Sequence, residues 1–225
     1  MKKSILFSVL VVGTTLLQAQ SITVHQTGGQ NGQVVEVQAV DLGLSVKWAN
    51  MNVGAESPED YGNNYAWGET STKSTYDWYT YFDTNDDGNT FTKYNNEGGK
   101  TILDPEDDAA HMNWGGSWRM PTMAEWYELI DNCTWTWTTQ NGINGYKVTS
   151  KREGYTDKFI FLPAAGYRLG RILFYDGSDG DYCSSSLSKY YSDRAWYLAF
   201  DSDDHYLHYY GGSRYSGRSV RPVLP

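Results

Sequence analysis

From Tyr146 to the C-terminus the apolar residues of this chain come only in short stretches. Among them are Tyr146-Lys147-Val148, Phe159-Ile160-Phe161-Leu162, Trp196-Tyr197-Leu198-Ala199-Phe200, Tyr206-Leu207-His208 and Ser219-Val220-Arg221-Pro222-Val223. Stretches of this length read as strands, and turn residues (Asn141-Gly142, Asn144-Gly145, Gly211-Gly212) separate several of them. Upstream, Val40-Asp41-Leu42-Gly43-Leu44-Ser45-Val46-Lys47-Trp48-Ala49 alternates apolar and polar positions, again a strand signal. A chain punctuated in this way builds an antiparallel β framework.

Two segments depart from that pattern. Leu103-Asp104-Pro105-Glu106-Asp107-Asp108-Ala109-Ala110 offers an Asp cap, a Pro at the first helical position and acids in the first turn, which predicts a helix. In Pro121 to Ile130 the signal is stronger. Thr122 and Glu125 have capping-box spacing, and Trp126, Leu129 and Ile130 form one apolar stripe. Residues 53–101 are rich in Gly, Asn, Asp and Tyr and predict long ordered loops, held to the core by Trp67, Trp78 and Tyr81. The expected class is α+β: two helices, a small antiparallel sheet and long ordered loops.

Residues 1–20 have the design of a secretory signal peptide: basic Lys2-Lys3, an apolar centre from Ile5 to Leu17, and small residues near position 20. Gly13-Thr14-Thr15 interrupts that centre, whereas a membrane span needs about 20 apolar residues. The expectation is export, to the cell surface, the periplasm or the medium, with no membrane insertion after cleavage. Residues 21–38 read as an extended segment or linker, and 39–225 as one domain. The formal charge of −9 argues against nucleic acid or an anionic membrane surface as a partner. Cys133 and Cys183 are permitted a disulfide in an exported chain, but two buried free thiols fit the sequence equally well.

Catalytic and metal-binding constellations are weak. Asp83-Thr84-Asn85-Asp86-Asp87-Gly88 begins like a calcium loop, but the twelfth position is Tyr94 rather than a bidentate acid. His205 and His208, three apart in a strand, point to opposite faces and cannot share a metal. Ser184-Ser185-Ser186 beside Cys183 has no base positioned near it and reads as a turn at a strand edge. No catalytic residue, metal site or cofactor is expected, and the chain is not expected to be an enzyme.

Several strings, taken together, resemble the "major paralogous domain" family first named from Fibrobacter. They are Val40-Asp41-Leu42-Gly43-Leu44, Tyr65-Ala66-Trp67-Gly68-Glu69-Thr70, Leu103 to Ala110, Trp114-Gly115-Gly116-Ser117-Trp118-Arg119-Met120-Pro121-Thr122, Phe161-Leu162-Pro163-Ala164-Ala165-Gly166-Tyr167-Arg168 and Ser219 to Val223. The resemblance covers about residues 39–223, with the strings in the family's order. It implies a C-type lectin-like fold whose early and C-terminal strands pair, in an exported protein of Bacteroides-like bacteria. The copper cysteines and iron histidines of oxidases on that fold have no counterpart here.

The tail is similar to a second group, the C-type lectin-like targets of diversity-generating retroelements. Those elements mutate adenines, turning Asn codons into Tyr, Asp, His, Ser, Gly, Arg, Leu or Phe codons. Residues 167–225 hold ten of the nineteen tyrosines, and no Asn occurs after Asn144, although the first 145 residues contain thirteen. A static tyrosine-rich tail would give the same residue list, since protein sequence carries no codons. Tyrosine surrounded by Ser and Gly is also the composition of a recognition surface. The candidate ligand-binding residues are Asp179, Asp181, Tyr190, Tyr191, Tyr197, Asp203, His205, Tyr206, His208, Tyr209, Tyr210, Ser213 and Tyr215. Strand alternation turns Trp196, Leu198, Phe200 and Leu207 inward, and Tyr197, Ala199, Asp201, Tyr206, His208 and Tyr210 outward. The function this implies is recognition of a cell-surface protein or glycan. The alternative is a surface or fimbria-associated subunit whose tail contacts its neighbours. Oligomeric state is not legible.

Overall fold

The computed structural model describes residues 20–25, 34–84, 88, 90–208 and 210–225. The expected signal peptide falls almost wholly outside them, as does Tyr209. Strands run β1 (Gln20–His25), β2 (Val34–Val40), β3 (Lys47–Ala49) and β4 (Asn64–Tyr65) before two helices, α1 (Ala109–Trp114) and α2 (Met123–Asn132). Then follow β5 (Cys133–Gln140), β6 (Ile143–Ser150), β7 (Phe159–Pro163), β8 (Tyr167–Leu169), β9 (Ile172–Phe174) and β10 (Gly180–Leu187). The chain closes with β11 (Arg194–Phe200), β12 (His205–Leu207), β13 (Gly212–Ser213), β14 (Arg218–Ser219) and β15 (Val223–Leu224).

This corrects the expected class. The protein is mostly β, 39% strand against 12% helix, with curled sheets forming half-barrels; it is not an α+β C-type lectin-like fold with two helices and one small sheet. The sheets run β1-β2-β3-β15, β12-β11-β10-β14-β4 with β13 on β11, β5-β6-β7, and β8-β9. The helices are too short to form a layer. Asp104 does not cap a helix: Pro105–Asp107 is a single 3-10 turn, and α1 starts only after Asp108, whose side chain accepts from the N–H groups of Ala110 and His111. The capping box of α2 is present as expected, with Thr122 bonded to Glu125 N–H and Glu125 to Thr122 N–H.

Of residues 21–38, expected as an extended segment or linker, 21–25 and 34–38 lie in strands of the first sheet, and 26–33 lie outside the described residues. β1 and β2 pair along their length, β2 pairs with β3, and Val37 is fully buried. Val223 pairs with Trp48, so the C-terminal strand closes against an early one. Trp48 in turn meets Trp126 of α2 with ring centroids 4.6 Å apart.

β10 is the second correction. Its Ser-Ser-Ser run is not an edge turn but part of a strand buried at every position, lying between β11 and β14. Polar residues are tolerated there because their groups are bonded, as burial otherwise makes them costly. Ser186 Oγ accepts from Met123 N–H at 3.1 Å, and the Ser184 carbonyl accepts from the Trp67 indole at 2.9 Å.

The loops of 53–101 are pinned by Trp67 and Tyr81, both buried, and by half-buried Trp78, which packs edge-on against Tyr215 at 4.7 Å. Cys133 and Cys183 are buried free thiols.

Candidate functional site

The β10–β11–β12 register sets the site. Tyr182, Leu198 and Leu207 lie in one cross-strand row, and all three are buried in the core. One residue along, Asp181, Ala199 and Tyr206 form the next row, which the pleat turns to the opposite face. Alternation along β11 therefore reads as expected: Trp196, Leu198 and Phe200 pack inward. Ala199, expected outward, is on the outer face yet only 8% exposed, because neighbours rise around it.

Those neighbours come from two other segments. The β8–β9 hairpin is held against the sheet by a Gly166–Gly180 bridge and an Arg168–Gly217 bridge, which brings Tyr167, Leu169 and Tyr175 to the rim. Tyr175 has φ +58°, a left-handed value uncommon for a residue with a side chain. Its carbonyl accepts from Ser178 and Asp179 N–H at 3.1 and 2.9 Å, which fixes the turn. On the other side Ser213, Tyr215, Ser216 and Arg218 complete an open cleft of about 370 Å³.

The floor is an ion pair. Arg218 Nε donates to Asp181 Oδ2 at 3.3 Å, with both side chains nearly buried, and Arg218 Nη1 donates to the Ser213 carbonyl at 3.0 Å. The same guanidinium lies 4.2 Å from the ring centre of Tyr197, which stacks on His208 at 5.2 Å and 14°. Burial raises the Asp181 carboxyl to about 6 against the pull of Arg218, and raises the Tyr197 phenol to about 12. Burial, with Arg218 and Arg194 adding, holds the His208 imidazole below its ordinary value. The Tyr206 phenol is raised by burial and then by Asp181, Asp201, Asp204 and Asp179. His208 Nδ1 is buried with no hydrogen-bond partner among the described residues.

Seven of the expected residues meet here: Asp179, Asp181, Tyr197, Tyr206, His208, Ser213 and Tyr215. The others do not. Tyr190, Tyr191 and Tyr210 form a separate exposed group, with Tyr210 6.3 and 6.2 Å from the other two rings. His205 packs away from the cleft, stacked on Trp135 at 4.4 Å and 13°. Asp203 sits in an exposed turn, its N–H donating to Asp201 at 2.8 Å. Tyr209 lies outside the described residues. One expected surface thus divides because β12 is only three residues long and its side chains alternate between the two faces of the sheet.

Sequence reasoning missed Tyr167, Tyr175 and Arg218. Their only signal was indirect: Gly166, Gly170 and Gly177 punctuate the segment that carries the two tyrosines.

Residues 85–87 of the calcium-like loop lie outside the described residues, and its first acid is engaged otherwise. Asp83 accepts from Arg214 at 2.7 Å and from Thr92 and Lys93 N–H at 3.1 Å each. Among the described residues Asp104, Glu106 and Asp107 form a possible cation cluster. The Lys93 ammonium sits among them, at 3.1, 3.0 and 2.6 Å.

No protein-family model, curated protein or solved structure matches the chain.

The cleft has the make-up of a binding site. Aromatic faces supply contact area at low entropic cost, and a few fixed polar groups orient what enters.

Proposed function

We propose that this is an exported ligand-binding module that recognises a protein or glycan on a cell surface through the β8–β14 cleft. One observation carries the reading: seven C-terminal residues singled out for their chemistry converge on a single concavity. Tyr175 and Tyr206 stand at its mouth, 57% and 47% exposed, an uneconomical use of large aromatic surface unless something covers it. The leader of residues 1–20 supports delivery outside the cytoplasm. Diversification of the tail would be consistent with variation concentrated on this face while Trp196, Leu198 and Leu207 stay fixed beneath it.

The test uses the purified full chain, applied to a glycan array and to intact cells. Tyr175→Ala with Tyr206→Ala should remove binding while the circular dichroism spectrum is retained. Undiminished binding by that folded variant would overturn the assignment of the cleft.

A further inference from the structure

We propose that the cleft takes the cationic end of a lysine or arginine side chain, presented by a basic segment of a partner protein. This rests on the cleft being the ligand site, and adds the chemical class of what it holds.

Charge is the first argument. Asp179, Asp181 and Asp201 line the cleft, and among the described lining residues Arg218 is the one Lys or Arg, with His208 the one imidazole. An anion entering would meet three carboxylates, whereas a cation is attracted and the whole molecule, at −9, steers it inward.

The second is the aromatic lining. A cation over a tyrosine face is attracted by the negative face of the ring, more strongly as water is excluded. The cleft already holds one such pair, because Arg218 lies 4.2 Å from the centre of Tyr197. Tyr206 and Tyr175 offer further faces nearer the mouth.

Third, the acceptors are short of donors. Asp181 is 8% exposed, and among the described residues its carboxylate has one hydrogen bond, the long 3.3 Å one from Arg218. A buried carboxylate normally gathers more. His208 Nδ1 is a second buried polar atom beside the cleft with no hydrogen-bond partner among the described residues. An ammonium brings three donors and a guanidinium five, where a ligand lacking N–H or O–H groups brings none.

The experiment is titration calorimetry of the intact folded chain with three probes. These are a short arginine-rich peptide, the same peptide with citrulline in place of arginine, and free spermidine. Citrulline keeps the shape and loses the charge. The arginine peptide should bind at least about tenfold more tightly than the citrulline one, and more weakly as NaCl is raised. Asp179→Asn with Asp201→Asn, both away from the core, should weaken the arginine peptide by about tenfold. Equal affinity for the two peptides would overturn the proposal. Spermidine binding as tightly as the peptide would overturn the protein segment as the source of the cation. A neutral glycan whose binding Tyr206→Ala abolishes would overturn the cation while leaving the cleft as the ligand site. Loss of no binding at all on Tyr206→Ala would remove both.

Discussion

Arg214 and Asp83 meet at 2.7 Å although they stand 131 positions apart in the chain, and neither side chain is open to solvent. The guanidinium also donates to the carbonyls of Tyr94 and Ser192, at 2.9 and 3.0 Å, and to Tyr81 Oη at 2.9 Å. Phe91 and Trp67 flank it at 4.4 and 4.7 Å from their ring centres. One side chain thereby ties the long loops of 53–101 to the strand segment that carries Ser213 and Tyr215, two cleft residues.

Removing it leaves a buried carboxylate without its partner. Arg214→Ala should destabilise the fold by roughly 3–5 kcal/mol, measured as a lower urea midpoint. Arg214→Lys should recover only part of this, since an ammonium cannot reproduce the planar fork that reaches four acceptors. A midpoint unchanged by Arg214→Ala would show that the pair does not hold the loops.

The two cysteines should be silent in the native protein. Burial pushes the thiols of Cys133 and Cys183 up to about 11 and about 12, so neither supplies thiolate near neutral pH. A colorimetric disulfide reagent should find no reactive thiol in native buffer and two per chain in guanidinium. Thermal unfolding should be indifferent to reductant, and a fall in Tm on reduction would show a disulfide instead.

His205 and His208 make the β11–β12 region sensitive to acid. Burial lowers both imidazoles below the ordinary 6.5, against Asp204 in the case of His205. The unfolded chain takes up protons near 6.5 and the folded one only at lower pH, so stability is lost as pH falls through that window. Asp181, raised to about 6, works in the opposite direction, because its charge is disfavoured when folded. A comparison with His205→Phe cancels the Asp181 contribution while keeping an aromatic ring on Trp135. The wild type should lose Tm relative to that variant between pH 7 and pH 5, and NMR midpoints of both imidazoles should lie below 6.5. A midpoint above 6.5 for either would contradict the burial argument.

What the sequence revealed was local. The α2 capping box is legible because Thr122 and Glu125 settle it within one turn. The β11 alternation is legible because that strand has one face in the core and one on the cleft. β10 was not, since a strand buried on both faces does not alternate and its serines disguise the burial. The α+β expectation failed for a related reason. Strands of two residues such as β4 and β14 exist only because Asn64–Tyr65 and Arg218–Ser219 meet across the fold, and no short-range pattern encodes that. Aspartates gave too many possible caps around Pro105, and the helix began at the one whose carboxylate also bonds Met120 N–H, at 2.8 Å. The tyrosine-rich composition singled out a segment that supplies seven of the residues lining the cleft. It could not separate Tyr206, over the cleft, from His205 beside it on the opposite face.

The hairpin that supplies the rim of the cleft offers a test in which two similar substitutions should differ. Gly166 and Gly170 both have left-handed backbone, φ +64° and +59°. At Gly170 an added Cβ meets nothing within 4 Å, so Gly170→Ala should cost only the conformational strain, about 1–2 kcal/mol. At Gly166 the same Cβ would collide with the Phe174 carbonyl oxygen and approach the Asp176 N–H, both backbone atoms of the hairpin's return. The 2.8 Å bond from Gly166 N–H to the Asp179 carbonyl would have to move with them. Gly166→Ala should therefore cost at least about 1–3 kcal/mol more than Gly170→Ala. Its amide exchange should rise across residues 166–179 before it rises in β10 and β11, since those strands are anchored by Tyr182, Leu198 and Trp196 beneath. Equal effects of the two substitutions on stability and exchange would mean that the close approach of Gly166 to Phe174 does not set the position of Tyr167 and Tyr175 at the cleft.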